Sequence, residues 1–159
     1  MLGREITDTL RGYARTMQKP VRFVLQQGTH SKRDELVTFL TAITETSDEL
    51  ELVERDTGGL LRSPLSFLLE ADGVDTGIRF SGIPGGHEFS SLVLAVLQAS
   101  GTPIKLDQGL ARLIANIEEP IRFEVVVSLS CHNCPDVVQA LNQFALLNPG
   151  ISAEMIDGG

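Results

Sequence analysis

The two cysteines of the chain both lie within one four-residue motif, Cys131-His132-Asn133-Cys134, called the dithiol motif below. Two thiols at this spacing can close a small disulfide ring and open it again, so they could carry thiol–disulfide exchange. In a reducing compartment such a pair is more often catalytic or metal-binding than a permanent cross-link. The motif follows an apolar, strand-like segment and begins a helical pattern in which Pro135 stands where a missing N–H costs little.

A position at the start of a helix favours the thiolate of Cys131, because the first N–H groups and the helix dipole stabilise an anion there. More thiolate means faster attack on a disulfide and easier release when a mixed disulfide is resolved. Cys134 lies on the first turn within reach of Cys131, so we expect it to be the more buried, resolving thiol. We interpret His132, Asn133 and Pro135 as neighbours of the reacting groups within the motif.

Metal binding is the main alternative for the two thiols, but the chain offers few ligands. A zinc site needs about four, and the sequence holds only 2 Cys and 3 His. His132 between the cysteines is poorly placed to chelate together with both. Pro135 occupies the position where haem attachment requires a histidine, and an iron–sulfur cluster lacks two thiolates. We therefore expect a redox-active pair and no metal, while a structural or zinc-binding pair remains open.

Composition excludes several classes of partner. The 159 residues include 42% hydrophobic ones and carry a net charge of −8, which is typical of a globular, acidic protein. A partner with a phosphate backbone would require clustered Lys and Arg, so we expect no nucleic acid. The longest apolar run, residues 92–97, is too short to span a bilayer, and the first residues contain no apolar signal segment. These features predict a cytoplasmic protein with no membrane contact.

An internal repeat organises the chain. Lys19-Pro20-Val21-Arg22-Phe23 recurs as Glu119-Pro120-Ile121-Arg122-Phe123. Each copy is preceded by apolar residues at the spacing of a helix face that packs on a core. These residues are Leu10, Tyr13 and Met17 in the first copy and Leu110, Leu113 and Ile117 in the second.

Each copy predicts the same order of helix, strand, helix and strand. The spans are 5–17, Val21–Gln26, 31–46 and 50–54 in the first copy, and 107–117, 121–128, Cys134–Leu147 and 151–156 in the second. A strand, a helix and a further strand form a βαβ unit, so the strands should be parallel.

The first copy continues with a hairpin and a last helix. Strands are expected at 66–70 and 78–80 around Asp72-Gly73, followed by a glycine-rich turn at 82–86 and a helix at 87–98. The order β-α-β-β-β-α predicts an α/β protein of tandem thioredoxin-like folds, the first complete and the second ending after β-α-β. The predicted organisation is an N-terminal helix (1–18), a repeat without cysteines (19–102), a linker helix (103–118) and the repeat with the dithiol motif (119–159).

The first copy has no thiol where the second has its motif. The corresponding residues, Thr29-His30-Ser31-Lys32, predict a redox-dead fold in which His30 is a solvated loop residue. The glycine-rich turn before a helix is only a weak sign of phosphate binding, since neither a Walker motif nor a dinucleotide fingerprint follows. Glu88, at the start of that helix, would ordinarily be a carboxylate that interacts with the helix dipole.

Four stretches together resemble the N-terminal domain of the F subunit of bacterial alkyl hydroperoxide reductase, and the similarity covers nearly the whole chain. The most specific stretch surrounds the dithiol motif, since a CxxC spacing alone would not identify a family. The stretches are SLSCHNCPDVVQALN from Ser128 to Asn142, Leu147-Asn148-Pro149, Ile156-Asp157-Gly158-Gly159 and GHEFSSLVLA from Gly86 to Ala95.

The resemblance implies a tandem thioredoxin-like domain joined to a flavoprotein reductase, in cis or in trans. Electrons would pass from NADH to FAD and a disulfide of the flavoprotein, then to Cys131 and Cys134. These would reduce a peroxiredoxin, the C component of alkyl hydroperoxide reductase, which destroys hydroperoxides. The resemblance also implies that Glu88 lies near the dithiol as a proton acceptor or pKa modulator. FAD and NADH would bind outside this chain.

Two other functions remain open at this stage. One is a stand-alone glutaredoxin-like or protein-disulfide reductase that uses a separate flavoprotein. The other is a non-catalytic interaction module in which the repeat without cysteines docks partner proteins and the dithiol motif is structural or binds zinc. The state of the thiols before and after reduction would distinguish these functions.

Overall fold

The computed structural model describes residues 2–159, over which five α-helices and six strands follow one another. A 3-10 helix over Gly86–Glu88 directly precedes the third α-helix. The elements are α1 Arg4–Ala14, β1 Val21–Gln26, α2 Arg33–Thr44, β2 Leu50–Arg55, β3 Ser66–Ala71, β4 Val74–Ser81, α3 Phe89–Ala99, α4 Gln108–Ala115, β5 Ile121–Val127, α5 Cys134–Leu147 and β6 Ile151–Asp157. The α/β fold class predicted from the sequence is confirmed.

All six strands form one continuous sheet in the order β2-β1-β3-β4-β6-β5. The β1–β2 and β5–β6 pairs are both parallel, as the βαβ patterns predicted, and β3 and β4 form the predicted antiparallel hairpin. Strand β4 also pairs in parallel with β6, so this seam joins the two copies of the repeat. The division of the chain into domains at 19–102 and 119–159 stays a prediction.

Strand β4 is longer than predicted, because it begins at Val74 rather than at residue 78. Asp75 and Gly77 have weak strand propensity, which is why the strand predicted from the sequence starts after them. Asp72 and Gly73 both have positive φ angles, the geometry of a tight hairpin turn that lets pairing resume at once. The pairing of Val74 and Asp75 with β3 then overrides the weak local preference.

The apolar faces predicted for α1 and α4, the helices that precede the two copies, are only partly correct. Leu10 is 8% exposed and packs in the core, whereas Leu113, predicted to face the core in the second copy, is 70% exposed. Tyr13 and Leu110 are also exposed, and Ile114 is the buried residue of α4. Helix α4 packs against α5, and this contact turns Ile114 rather than the predicted apolar face toward the core.

One face of the sheet carries the main core. Phe23, Phe67 and Phe80 are fully buried on β1, β3 and β4, and the rings of Phe67 and Phe80 stack with centroids 5.2 Å apart. Because side chains alternate along a strand, these positions share a face with Met155 of β6, which is paired with Phe80. The core is therefore continuous across the seam between the copies.

The opposite face carries a smaller apolar cluster and a network of charges. Val24 and Leu68 alternate with the core positions of β1 and β3, and they pack with Leu61 from the loop after β2. From the same loop, Arg62 donates to the buried carboxylate of Glu154 on β6 at 2.6 and 3.0 Å. This loop therefore fastens the first copy to the second on the face away from the main core.

None of the helices found between residues 2 and 159 has the length and apolar character needed to cross a membrane.

Candidate functional site

Cys131 and Cys134 form a disulfide at the N-terminus of α5, with their Cα atoms 5.6 Å apart. Cys131 N donates to Ser128 O at 3.0 Å, which closes a tight turn between the end of β5 and the helix. Both cysteines are half-buried, and Cys134 packs against the main core. That Cys134 is the more buried, resolving thiol stays a prediction.

The first turn of α5 provides a local field that favours negative charge. Asn133 precedes the helix and, within the described part of the chain, makes no side-chain capping hydrogen bond. Pro135 stands near the helix start, as expected, since its ring fits the helical φ angle. The remaining N–H groups of this turn can therefore interact with a thiolate at Cys131.

The segment before α3 lies directly against residues 128–133, called the dithiol loop below. His87 N donates to Leu129 O at 2.9 Å, and the rings of His87 and His132 meet edge to face with centroids 4.4 Å apart. His87 and His132 are both exposed. The structure thus brings together GHEF and the dithiol motif, two stretches that lie far apart in the sequence.

Gly86 makes this approach possible. Its φ angle is +54°, and a Cβ at this position would lie 2.6 Å from Leu129 O. Gly82 similarly has a φ of +113° and would bring a Cβ within 2.6 Å of Asp157 Cβ. Gly86 and Gly82 therefore allow the close approach of the dithiol loop and of the end of β6.

Replacing Gly86 with alanine is expected to lower the free energy of unfolding by about 2–3 kcal/mol. A left-handed backbone costs an L-residue about 1–2 kcal/mol, and the new methyl group also displaces Leu129. Urea-induced unfolding measures the loss. Gly58→Ala is the matched control, because Gly58 has a φ of +63° with open space around it. Equal losses in the two variants would contradict a close packing of the dithiol loop on Gly86.

Glu88 is completely buried at the junction of the 3-10 helix and α3. Its Oε1 accepts a hydrogen bond from Ser91 Oγ at 2.7 Å. Its Oε2 is buried and has no hydrogen-bond partner among residues 2–159. A carboxylate at a helix start ordinarily interacts with the helix dipole; here Glu88 is in addition completely buried.

Burial raises the pKa of Glu88 above its ordinary value, because an apolar surrounding disfavours the charged form. The hydrogen bond from Ser91 and the charge of His87 act in the opposite direction and lower this pKa, but burial dominates. Buried carboxyl groups with raised pKa values occur frequently at catalytic sites.

The raised pKa of Glu88 predicts a pH-dependent stability. Between the ordinary glutamate pKa and the raised native value, the folded chain binds more protons than the unfolded chain, so stability falls as pH rises through the native value. Glu88→Gln should remove this contribution, and its free energy of unfolding relative to the wild type should therefore increase from pH 4 to pH 8. Denaturant unfolding at several pH values measures it. Ser90→Ala changes an exposed neighbour that does not titrate, so its free energy of unfolding should depend on pH as that of the wild type does. If the free energy of unfolding of Glu88→Gln also had the pH dependence of the wild type, the prediction would be contradicted.

The residues of the cysteine-free copy that correspond to the dithiol motif, Thr29 to Lys32, lie in the loop before α2. His30 is exposed there, and its Nδ1 accepts a hydrogen bond from Lys32 N at 3.0 Å, as expected of a solvated loop residue. His30 and Lys32 border an open cleft that also contains Leu129 of the dithiol loop.

Two polar residues near Glu88 were not predicted as site residues from the sequence. Ser91 is fully buried in α3, and Gln139 of α5 donates to Ser91 Oγ at 3.2 Å. A serine three positions after Glu88 on an otherwise apolar helix was the signal that could have indicated a partner for the carboxylate. Nothing local predicts the contact with Gln139, because that residue lies in the other copy.

Within the part of the chain that the structure describes, no three His, Cys, Asp or Glu side chains come together as a metal site. The arrangement that is present is a disulfide at a helix N-terminus, with the contacting rings of His87 and His132 beside the dithiol loop and the buried carboxyl group of Glu88 on the segment that follows His87.

No protein-family model matches the chain. It is 44% identical over 158 residues to the F subunit of alkyl hydroperoxide reductase from Staphylococcus aureus and, at the same identity, to that from Staphylococcus epidermidis. These matches cover 99% of this chain and 30% of the relatives, so the chain spans less than a third of their length.

Solved structures give a closer match in length. The N-terminal domain of alkylhydroperoxide reductase AhpF from Enterococcus faecalis superposes with a TM-score of 0.88 at 34% identity, covering 99% of this chain and 80% of that one. A protein disulfide oxidoreductase from Aeropyrum pernix superposes with a TM-score of 0.84 at 20% identity, covering 99% and 75%, and shares the fold. The sequence identity, the coverage and the superposition agree, and the chain belongs to the AhpF family of alkyl hydroperoxide reductases, in which it corresponds to the N-terminal domain.

Proposed function

We propose that this domain relays electrons through Cys131 and Cys134, from an NADH-dependent flavoprotein reductase to the disulfide of a peroxiredoxin. An oxidoreductase role follows from the family; the direction of transfer and the two partners are the proposal. The observation that carries it is the Cys131–Cys134 disulfide at the start of α5. Such a pair is placed to exchange with another disulfide.

The first step is attack on the peroxiredoxin. In the reduced domain, the thiolate of Cys131 attacks one sulfur of the partner's disulfide, and a mixed disulfide forms as the partner's S–S bond breaks. The partner's other sulfur leaves as a thiolate and takes a proton. The N-terminal turn of α5 assists this step by stabilising the negative charge on Cys131 before it attacks.

The second step closes the domain's own disulfide. The Cys134 thiol gives up its proton, and its sulfur attacks Cys131 Sγ. The mixed disulfide breaks, and the partner leaves with both sulfurs reduced. Two electrons have then moved from the domain to the partner. We assign Glu88 as the proton acceptor, because it is buried, has a free carboxylate oxygen and lies on the segment packed against α5.

A dithiol of the flavoprotein reductase then reduces the Cys131–Cys134 disulfide by the same exchange in reverse, which returns the proton to Cys134. In this proposal the electrons would be supplied by NADH and FAD bound in the reductase region, the part of the family's proteins that this chain does not span. The residues of this chain contribute the exchanging sulfurs, their electrostatic surroundings and the proton acceptor.

Trapping the mixed disulfide tests the relay. The Cys134→Ser variant is reduced, desalted and mixed with oxidised peroxiredoxin, and the products are separated under non-reducing conditions. We expect a covalent adduct through Cys131 that dithiothreitol dissolves, because the resolving sulfur is absent. Cys131→Ser should form less than about a tenth of this adduct, since its remaining thiol, that of Cys134, packs against the main core and is harder for a partner to reach.

Thr29→Ala in a Cys134→Ser background is the matched control, because Thr29 corresponds to Cys131 in the cysteine-free copy. This variant should form as much adduct as Cys134→Ser alone. Adduct formation through Cys134 at the same rate as through Cys131 would overturn the assignment of roles.

Alkylation with and without prior reduction tests the non-redox alternatives. If the intact mass shows two added alkyl groups only after dithiothreitol treatment, the two cysteines form a reversible disulfide. One bound zinc per chain, with labelling unchanged by reduction, would contradict the proposed relay and favour a structural or zinc-binding pair.

A further inference from the structure

A chain of hydrogen bonds links the buried carboxyl group of Glu88 to the helix that carries the dithiol. Ser91 Oγ donates to Glu88 Oε1 at 2.7 Å, and Gln139 Nε2 donates to Ser91 Oγ at 3.2 Å. Ser91 is fully buried in α3, while Gln139 is partly buried on α5, about one and a half turns after Cys134. These two hydrogen bonds therefore link α3, which follows Glu88, to α5, which begins with Cys134.

We propose that Ser91 and Gln139 are positioning residues that orient Glu88 and set how tightly it holds the proton it receives from Cys134. This inference rests on the function proposed above, in which Glu88 is the proton acceptor. It adds two residues that act through Glu88 and touch neither sulfur nor substrate.

The direction of the hydrogen bonds follows from the chemistry of the groups. A serine hydroxyl has one proton to donate and two lone pairs. The Gln139 amide N–H donates to the Ser91 oxygen, so the proton of that hydroxyl remains for Glu88. Gln139 thereby fixes Ser91 as a donor, and a donor to Oε1 stabilises the ionised form of Glu88.

The same hydrogen bonds leave one carboxylate oxygen available. Oε1 is held by Ser91, whereas Oε2 is buried and, over the residues described, has no donor. A buried carboxylate oxygen without a donor is costly to keep ionised. As the Cys134 sulfur attacks Cys131 in the mixed disulfide, the Cys134 thiol loses its proton, Oε2 gains it, and the partner's sulfur leaves as a thiolate.

Few other titratable groups are present on the elements around Glu88. Helix α3, which carries Ser91, contains none. The others lie on the 3-10 helix, the dithiol loop and the first turn of α5. They are His87, Cys131, His132, Cys134 and Asp136; in addition, Glu5 of α1 lines a pocket together with Phe89 and Gln139. Of these, His87 lowers the pKa of Glu88 by its charge, in the same direction as Ser91 and against the effect of burial.

Direct titration of Glu88 by carbon-13 NMR in the oxidised 159-residue chain tests the positioning role. Ser91→Ala removes a hydrogen bond to the charged form, and we expect Glu88 to bind its proton about tenfold more tightly. Ser91→Thr keeps the hydroxyl and should restore the wild-type titration. In Gln139→Glu the new carboxylate accepts the Ser91 hydroxyl proton, so Glu88 loses its donor. Glu88 should then bind its proton more tightly, as in Ser91→Ala. This variant provides the same test if the alanine variant does not fold.

Gln143→Glu is the control, because it introduces the same charge on α5 one turn further from the dithiol. It should move the Glu88 titration less than Gln139→Glu does. A Glu88 titration that is unchanged in both Ser91→Ala and Gln139→Glu would overturn the positioning role.

The pH profile of disulfide closure separates this inference from the function on which it rests. The reduced chain is mixed with 4,4′-dithiodipyridine, and formation of the Cys131–Cys134 disulfide is followed by the second pyridinethione released. The closure rate should rise with pH as Glu88 loses its proton, and we expect this rise, the rising limb of the profile, to move to higher pH in Ser91→Ala. At pH values below the limb, closure in Ser91→Ala should be about tenfold slower than in the wild type. If the Glu88 titration moves but the limb does not, Glu88 is not the acceptor, and that part of the proposed function is overturned while the hydrogen-bond chain stands.

Discussion

Replacing Phe80 with alanine is expected to lower the free energy of unfolding by about 3–5 kcal/mol. The ring is fully buried, stacks on Phe67 of β3 and lies beside Met155 of β6. Its removal takes away packing on both sides of the seam between the copies, and the surrounding sheet can collapse only partly into the cavity. Guanidinium-induced unfolding, followed by circular dichroism, measures the change in midpoint and slope.

Val74→Ala is the control on the same strand, because Val74 is 68% exposed at the start of β4. Its effect should stay within about 0.5 kcal/mol. A loss from Phe80→Ala as small as that from Val74→Ala would contradict a single core continuous across β4 and β6. A decrease in the slope with two separate transitions would indicate that the copies unfold independently.

Replacing Arg62 with alanine is expected to destabilise the chain by about 3 kcal/mol. Arg62 makes two hydrogen bonds to Glu154, whose carboxylate is buried on β6 and also accepts from Ser81. Without Arg62 that charge stays buried, with Ser81 and the more distant Arg122 as its remaining partners. The same unfolding measurement detects the loss, and Arg11→Ala, which breaks an exposed pair with Asp8, should cost less than about 1 kcal/mol.

A second substitution identifies the cause of the loss. In a Glu154→Gln background no buried charge remains, so Arg62→Ala should cost about 1 kcal/mol rather than about 3. Additive losses, with Arg62→Ala equally costly in both backgrounds, would show that Arg62 stabilises the chain through contacts other than its pairing with Glu154.

Local patterns in the sequence were sufficient for much of the fold. Strand β1 and helix α5 have the predicted bounds, Val21–Gln26 and Cys134–Leu147. Both elements are defined by strong local signals: a run of branched and aromatic residues in the strand, and Pro135 with an apolar periodicity in the helix. The start of β4 and the buried face of α4 were predicted less well, because pairing with β3 and packing on α5 decide them.

The dithiol site depends both on local sequence patterns and on tertiary packing. The sequence alone determined that two thiols share one short motif at the start of a helix, because adjacency along the chain and helix propensity are local properties. Only the tertiary structure decided that Glu88 is fully buried and that Ser91 and Gln139 hold it. The contact between Ser91 and Gln139 joins the two copies, and it exists because β4 pairs with β6 and Gly86 lets the first copy approach Leu129, neither of which a local pattern encodes.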